Sequence, residues 1–148
     1  MFDNPRTICA GVFYPLYMKE SFKAINYTDL TSVQKESYAF CQIQAVMSRR
    51  GWLEFHRLND DHNGADWVAF HKDGKTERFQ QKARFVLDPK YYGSGLKVVV
   101  YDFTQDSVYV YDHDENFDIW SEGREGKEFK NNFLRSRTLP EFAKVNQL

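Results

Sequence analysis

The sequence ADWVAFHKDGKTERFQQKARF, residues 65–85, has the pattern of a β-hairpin. Its first part, residues 65–70, is rich in residues that favour strands. Its second part, residues 76–85, alternates, so that Phe79 and Gln81 share one face while Gln80 and Lys82 share the other. The intervening Lys-Asp-Gly is a turn sequence, and it predicts that the two parts pair as antiparallel strands.

The length of the hairpin loop determines which side chains lie opposite each other. A two-residue turn pairs Asp66 with Gln81, whereas a three-residue loop with Gly74 in the left-handed conformation pairs Asp66 with Gln80. Both turns suit the sequence. We expect the three-residue loop, which gathers Asp66, Gln80 and Lys82 on one face.

A helix is predicted ahead of this hairpin, from about residue 32 to residue 50. Thr31 and Gln34 have the spacing of a capping box, and Gly51 can end the helix. Spacings of three and four residues define one stripe, formed by Val33, Glu36, Phe40, Ile43 and Met47. A carboxylate in an apolar stripe is costly without a partner or cation, so Glu36 is a candidate for chemistry; the alternative is a side chain that reaches solvent.

The remaining elements complete one α/β domain. Residues 52–58 are predicted to form a strand and residues 59–64 a loop, and residues 96–103 and 107–112 a second pair of strands. Helices are predicted over residues 125–134 and 140–148. The expected fold is a mixed sheet of about four to five strands flanked by helices in a single domain, residues 1–148, with its core at about 31–115 and a helical C-terminal extension at about 118–148.

Composition excludes some classes of protein and leaves others open. A chain of 148 residues with 42% hydrophobic residues supports a globular domain rather than a disordered one, and a net charge of −1 indicates no particular partner. Cys9 and Cys41 are too few for a disulfide framework, so we expect reduced, buried thiols. The apolar residues 8–18 have no cleavage site and are too short to span a membrane. We expect a cytoplasmic protein with no membrane partner, whose N-terminal segment packs against the core.

Three segments together resemble the PD-(D/E)XK nuclease superfamily, the restriction-endonuclease-like phosphodiesterases. They are KESYAFCQIQAVMSRRGW for the first helix and its exit, NGADWVAF for the strand with the aspartate, and ERFQQKARF for the strand with a QxK variant of the signature. The later VYVYDHDE resembles the strand and acidic turn that follow the motif in several members. The resemblance covers residues 34–115. The sequence departs from the pattern at Gln80, where the family usually has an acidic residue, and in having no clear helix after the motif strand.

The resemblance implies a restriction-endonuclease-like fold and a catalytic set of Glu36, Asp66, Gln80 and Lys82. A divalent cation, Mg²⁺ or Mn²⁺, would be held by Asp66, the Gln80 side chain and the main-chain carbonyl of Gln81, and by Glu36 through a water molecule. Such a cation offsets charge on the scissile phosphate and activates water. Lys82 would orient that water or stabilise developing negative charge. The alternative is an ordinary ion pair between Asp66 and Lys82.

Basic charge is concentrated in two segments. Residues 72–97 contain seven Lys or Arg against three acids and residues 124–144 contain six against three, whereas residues 100–118 contain six acids and no Lys or Arg. Basic side chains supply affinity for DNA phosphates without reading the base sequence. The candidate phosphate contacts are Arg78, Arg84, Lys90, Lys127, Lys130, Arg135 and Arg137. Tyr91 and Tyr92 are candidates for a mobile flap that stacks on bases, or for a simple exposed turn.

The predicted function is a metal-dependent endonuclease that hydrolyses DNA through a metal-activated water. Two alternatives stay open: a catalytically silent domain of the same fold that binds nucleic acid or a protein partner, and a small interaction domain in which the motif is accidental. Many nucleases of this size form homodimers, so a homodimer is a further possibility for this protein. Residues 60–63 and 112–115 look like metal ligands, but acidic turns in contact with solvent are the favoured interpretation.

Overall fold

The computed structural model describes residues 25–122, 134–136, 139–141 and 143–148, with side chains for all of these except 60–62 and 134–136. The N-terminal segment, Cys9 and most of the helix expected at 125–134 therefore lie outside the described residues. The helices are α1 (Ser32–Ser48) and α2 (His113–Glu122), and single 3-10 turns span Tyr27–Asp29 and Pro89–Tyr91. The strands are β1 (Trp52–His62), β2 (Ala65–His71), β3 (Thr76–Lys82), β4 (Phe85–Leu87), β5 (Lys97–Asp102), β6 (Ser107–Asp112), β7 (Leu134–Ser136) and β8 (Val145–Gln147).

Helix α1 begins and ends as the sequence predicts. The Thr31 hydroxyl accepts from the Gln34 N–H at 3.3 Å, and the Gln34 side chain accepts from the Thr31 N–H at 2.9 Å, so the capping box is complete. Gly51 follows the helix with a φ of +92°. The buried stripe is shorter than expected, because Val33 is 74% exposed. Cys41, expected to be buried, is exposed on the solvent side of the helix.

The hairpin of β2 and β3 has the register expected from a three-residue loop. Trp67 pairs with Phe79 and Val68 with Arg78, and the same register places Asp66 opposite Gln80. Gly74 has a φ of +83°. The prediction of a three-residue loop is thereby confirmed.

Strand β1 is longer than the sequence indicates, and the prediction of a loop at residues 59–64 is wrong. The strand runs to His62, and only Asn63 and Gly64 form the turn, with φ values of +56° and +84°. An Asn-Gly pair fits a two-residue hairpin turn because both residues tolerate positive φ. The polar residues before it resemble a loop in sequence, but their backbone belongs to the edge strand of the sheet.

The main sheet of the described residues has six strands, in the order β1-β2-β3-β5-β6-β8, rather than four to five. Strands β3 and β5 are parallel and the other pairs are antiparallel. The extra strand is β8, so the helix predicted over residues 140–148 is wrong. Val145 lies opposite Tyr111, and the Leu148 N–H donates to the Val108 carbonyl at 2.9 Å. Pairing with the open edge of β6 therefore decides the conformation of these residues.

The sheet is covered on both faces. On one face, Phe40, Ile43 and Met47 of α1 pack against Trp67 and Phe79. On the other face, α2 and β4 pack with residues of β5 and β6 in a second cluster, whose buried members are Phe85, Leu87, Val98, Val100, Tyr111, Phe117 and Trp120. The described residues thus form an α/β domain with a mixed sheet. No helix within the described ranges combines the length and apolar character that crossing a bilayer requires.

Candidate active site

Gln81 joins three elements at the point where β3 ends. Its N–H donates to Asp66 Oδ2 at 2.7 Å, which ties the end of β3 to the start of β2. Its side-chain Nε2 donates to the main-chain carbonyl of Glu36 at 2.9 Å, which ties β3 to the first turns of α1. A single residue therefore sets the positions of both carboxylate-bearing segments.

Two adjoining clefts open at this point. The first has a volume of about 240 Å³ and the second about 480 Å³, and Glu36, Asp66 and Gln81 line both. Lys82 lines the second cleft, and Arg57 lines the first. The structure therefore brings Glu36, Asp66, Gln81 and Lys82 together, although Glu36 and Asp66 lie far apart in the sequence.

Gln80 does not join this group. Its side chain is 3% exposed and lines neither cleft, even though its register opposite Asp66 is the expected one. Gln80 lies inside the sheet, with β2 on one side and Val98 of β5 on the other. The expectation that Gln80 offers its side-chain carbonyl to a cation at the cleft does not fit this burial.

Lys82 lies against the ring of Tyr91. Its Nζ is 5.5 Å from the ring centroid, and Lys90 Nζ is 4.6 Å from the same centroid. Tyr91 is only 7% exposed, so its ring is held in the fold and offers no free face to a base. Tyr92 is 52% exposed, and its hydroxyl donates to Asp118 Oδ1 at 2.7 Å, a bond that raises the Tyr92 pKa.

The basic candidates fall into three groups. The guanidinium of Arg78 is partly buried and donates to the Ser94 carbonyl, so it holds the loop after β4. Lys90 lies 3.8 Å from Asp88, while Arg84 is exposed and lines a third cleft beyond Lys82. Outside the described side chains are Lys127, Lys130, Arg135 and Arg137.

Two cations at the clefts were not among the sequence candidates. Arg57 projects from β1 with its guanidinium carbon 4.2 Å from the centroid of the Phe40 ring. Lys35 precedes Glu36 on α1 and lines the second cleft, with its Nζ 5.6 Å from the centroid of the Tyr27 ring. Neither belongs to the catalytic set that the resemblance implies, although Lys35, directly before Glu36 in the first quoted segment, was a usable signal.

The acidic segment at residues 112–115 has structural partners. Asp112 forms an ion pair with Lys97 at 2.7 Å. Partial burial raises the Asp112 pKa, but the hydrogen bonds from the Glu115 N–H and from Lys97 lower it by more, so the net effect is a lowered pKa. His113 is fully buried and its Nε2 accepts from the Asp88 N–H at 3.2 Å. The other partners in this segment are Gly93 for Asp114 and Lys144 for Glu115.

The clefts are thus lined by two carboxylate residues, by Gln81 at the end of β3 and by three cationic residues, a set able to bind a phosphate group beside a hard cation. Within the described part of the chain, no three His, Cys, Asp or Glu side chains are grouped closely enough to hold a metal ion by themselves. Any cation here would need ligands from a substrate or from water. In comparisons with known proteins, no family model matches the chain, and no curated protein or solved structure matches it significantly.

Proposed function

We propose that this protein is a Mg²⁺- or Mn²⁺-dependent endonuclease with a restriction-endonuclease-like fold that hydrolyses DNA phosphodiester bonds. The observation that carries the proposal is the convergence of Glu36, Asp66, Gln81 and Lys82 on adjoining clefts. These residues come from a helix and two strands, as the resemblance of the sequence implies. The mixed sheet with a helix on each face supports the same fold class.

The oxygen atoms at the clefts suit a weakly held Mg²⁺. Asp66 offers a carboxylate whose orientation is set by the Gln81 N–H, and Glu36 offers a second, exposed one. In an extended strand the N–H and C=O of one residue point to the same side, so the Gln81 carbonyl is directed toward Asp66. Mg²⁺ keeps several waters and typically takes one or two carboxylates plus substrate phosphates, so three protein oxygens are sufficient. When bound, the cation supplies charge for the phosphate and lowers the pKa of a water.

Cations of the chain line the same clefts as the two carboxylates. Lys82 lines the cleft that contains Asp66, and its Nζ lies 5.5 Å from the centroid of the Tyr91 ring. From this position it can orient the attacking water or stabilise the negative charge that develops on the phosphate. Arg57 and Lys35 line the two clefts on either side and can hold the flanking phosphates.

The test is cleavage of duplex, branched and single-stranded DNA with Mg²⁺, Mn²⁺ or EDTA. Asp66→Asn keeps an acceptor for the Gln81 N–H but removes the charge, so the fold should persist while cleavage falls by about a hundredfold or more. Lys82→Met should have a similar effect. The matched controls are Asp73→Asn and Lys72→Met, which make the same chemical changes in the exposed hairpin loop far along the strands from the clefts. Full cleavage by Asp66→Asn or Lys82→Met would refute the assignment.

One observation favours the second candidate, a catalytically silent domain that binds DNA. The burial of Gln80 leaves the cation with fewer protein ligands than the family signature supplies. This candidate would be favoured over the enzyme if two results were found together. Neither cation would support cleavage of any DNA form, and Arg57→Ala would weaken the binding of DNA.

A further inference from the structure

The second cleft continues into a third and larger one, with a volume of about 720 Å³. Tyr27, Ala83 and Tyr101 line both, so the surface from Asp66 to this cleft is one groove. We call the part beyond Ala83 the aromatic groove. It runs past the end of β5 and along the turn that joins β5 to β6; besides the three shared residues, its lining includes Arg84, Phe85, Phe103, Gln105 and Tyr109.

Phe103 is the exposed aromatic residue of this groove. Its side chain is 43% exposed, although it is a large apolar ring on a short turn. It stacks on Tyr27, with ring centroids 4.1 Å apart and an angle of 13° between the planes. Because one face of the ring contacts Tyr27, the exposed fraction leaves area on which a further flat ring can extend the stack.

The turn holds Phe103 in a defined position. Asp102 Oδ1 accepts from the Thr104 N–H at 2.8 Å, and the Tyr101 hydroxyl donates to Asp106 Oδ1 at 2.7 Å. A third bond joins the Tyr109 hydroxyl to the Gln105 side chain at 2.6 Å. A ring presented in this way loses little conformational entropy when a ligand stacks on it.

Three cations of the groove are available to the phosphates of a nucleic acid. Arg84 is exposed at the aromatic groove, and Lys35 and Lys82 lie in the cleft that joins it to Asp66. Three carboxylates line the same surface. Glu36 and Asp66 lie in the connecting cleft, where the proposed cation would offset their charge, and Asp102 Oδ1 already accepts from main-chain N–H groups of the turn. Aromatic faces interleaved with cations are the means by which proteins bind single-stranded nucleic acids without regard to sequence.

We propose that the aromatic groove binds single-stranded DNA, with one unpaired base stacked on Phe103. We also infer that this strand continues to the clefts at Asp66, where it is the substrate. This second step rests on the proposed nuclease function. The substrate class is then a single strand, or a duplex with an unpaired end, rather than an uninterrupted duplex. Base stacking supplies affinity, and the cations hold the backbone.

The first experiment measures stacking and binding without cleavage. Short single strands carrying 2-aminopurine at successive positions are titrated with the full chain in Ca²⁺, because stacking on an aromatic ring quenches this fluorophore. We expect one position to be quenched strongly. Phe103→Ala should abolish that quenching and weaken binding about fivefold or more, the lower end of the effect of losing one base–aromatic stack.

Two variants control for other effects of the substitution. Phe103→Leu keeps apolar bulk without a flat ring, and it should behave as Phe103→Ala does. Phe70→Ala removes an aromatic ring that is 39% exposed on β2 and lies outside the groove, and it should bind as the wild type does. Circular dichroism checks that every variant is folded.

The second experiment separates this inference from the nuclease proposal. Cleavage of single-stranded and fully paired DNA is compared in Mn²⁺, where Phe103→Ala should lose activity on the single strand alone. Quenching that depends on Phe103 without any cleavage would uphold the groove and overturn the nuclease. Cleavage of single strands with no dependence on Phe103 would overturn the groove proposal and leave the nuclease proposal standing.

Discussion

Replacing Gly64 by alanine tests how the β1–β2 turn supports the site. A Cβ at this position would lie 2.6 Å from Cδ1 and Cε1 of Tyr91, and the φ of Gly64 is +84°. Positive φ costs an alanine about 1–2 kcal/mol, and overpacking of a buried ring adds about 1–3 kcal/mol. We therefore expect Gly64→Ala to lower the free energy of unfolding by about 2–5 kcal/mol.

Gly74 provides a control for the conformational part of this cost. Its φ is +83°, and none of the described atoms lies within 4 Å of a Cβ built there. Gly74→Ala should therefore lower the free energy of unfolding by about 1–2 kcal/mol only. The difference between the two variants measures the collision with Tyr91 together with the tight contact to Leu96 Cδ1, which would lie 3.0 Å from the added Cβ.

A double-mutant cycle identifies Tyr91 as the cause. In a Tyr91→Ala background the ring is absent, so the added cost of Gly64→Ala should fall most of the way to that of Gly74→Ala, with a small remainder from the contact with Leu96. Urea denaturation followed by circular dichroism measures all four free energies. Equal costs for the two glycine variants, or a cost at Gly64 that is unchanged without the Tyr91 ring, would refute the reasoning. Since Lys82 lies against this ring, cleavage by Gly64→Ala should also fall while the protein remains folded.

Three further substitutions test other contacts. Thr31→Ala removes the side-chain cap of α1 and should cost about 1 kcal/mol in urea denaturation. Tyr111→Phe removes a buried hydroxyl that accepts from the Val86 N–H and donates to the Val86 carbonyl, and should cost about 1–3 kcal/mol by the same measurement. Asp112→Asn breaks the pair with Lys97 and should cost about 1 kcal/mol at neutral pH. Because folding lowers the Asp112 pKa, the carboxylate stabilises the protein at pH values above its ordinary pKa. The difference in stability between Asp112→Asn and the wild type should therefore vanish as the pH falls through the ordinary pKa and then through the lowered one. A difference independent of pH would contradict the ion pair.

The local parts of the fold could be predicted because short-range chemistry decides them. The caps of α1 depend on residues three positions apart, and the register of β2 and β3 depends on a loop in which Gly74 adopts positive φ. Strand β6 was predicted with its observed bounds, since an alternating segment followed a clear turn. The position of Asp66 near the end of β3 follows from that register.

The remaining parts depend on contacts that sequence periodicity does not contain. Strand β8 is too short to have a pattern of its own, and its conformation comes from pairing with β6. Helix α2 has a polar sequence, and it is anchored by Phe117 and Trp120, which are buried in the second cluster. The burial of Gln80 follows from the covering of a central strand on both faces, which its alternation with Lys82 alone does not reveal.

The two hydrogen bonds of Gln81 make the site a product of long-range docking. Glu36 and Asp66 line the same clefts only while the first turns of α1 rest against the end of β3. A ligand that bridges the two carboxylates therefore binds only the docked population, and its apparent affinity is reduced by the fraction of molecules in which this end of the helix has detached. Because the ligand binds only the docked state, its binding also increases the population of that state. Such a ligand would therefore slow amide hydrogen exchange in the first turns of α1 far more than in the distant hairpin loop.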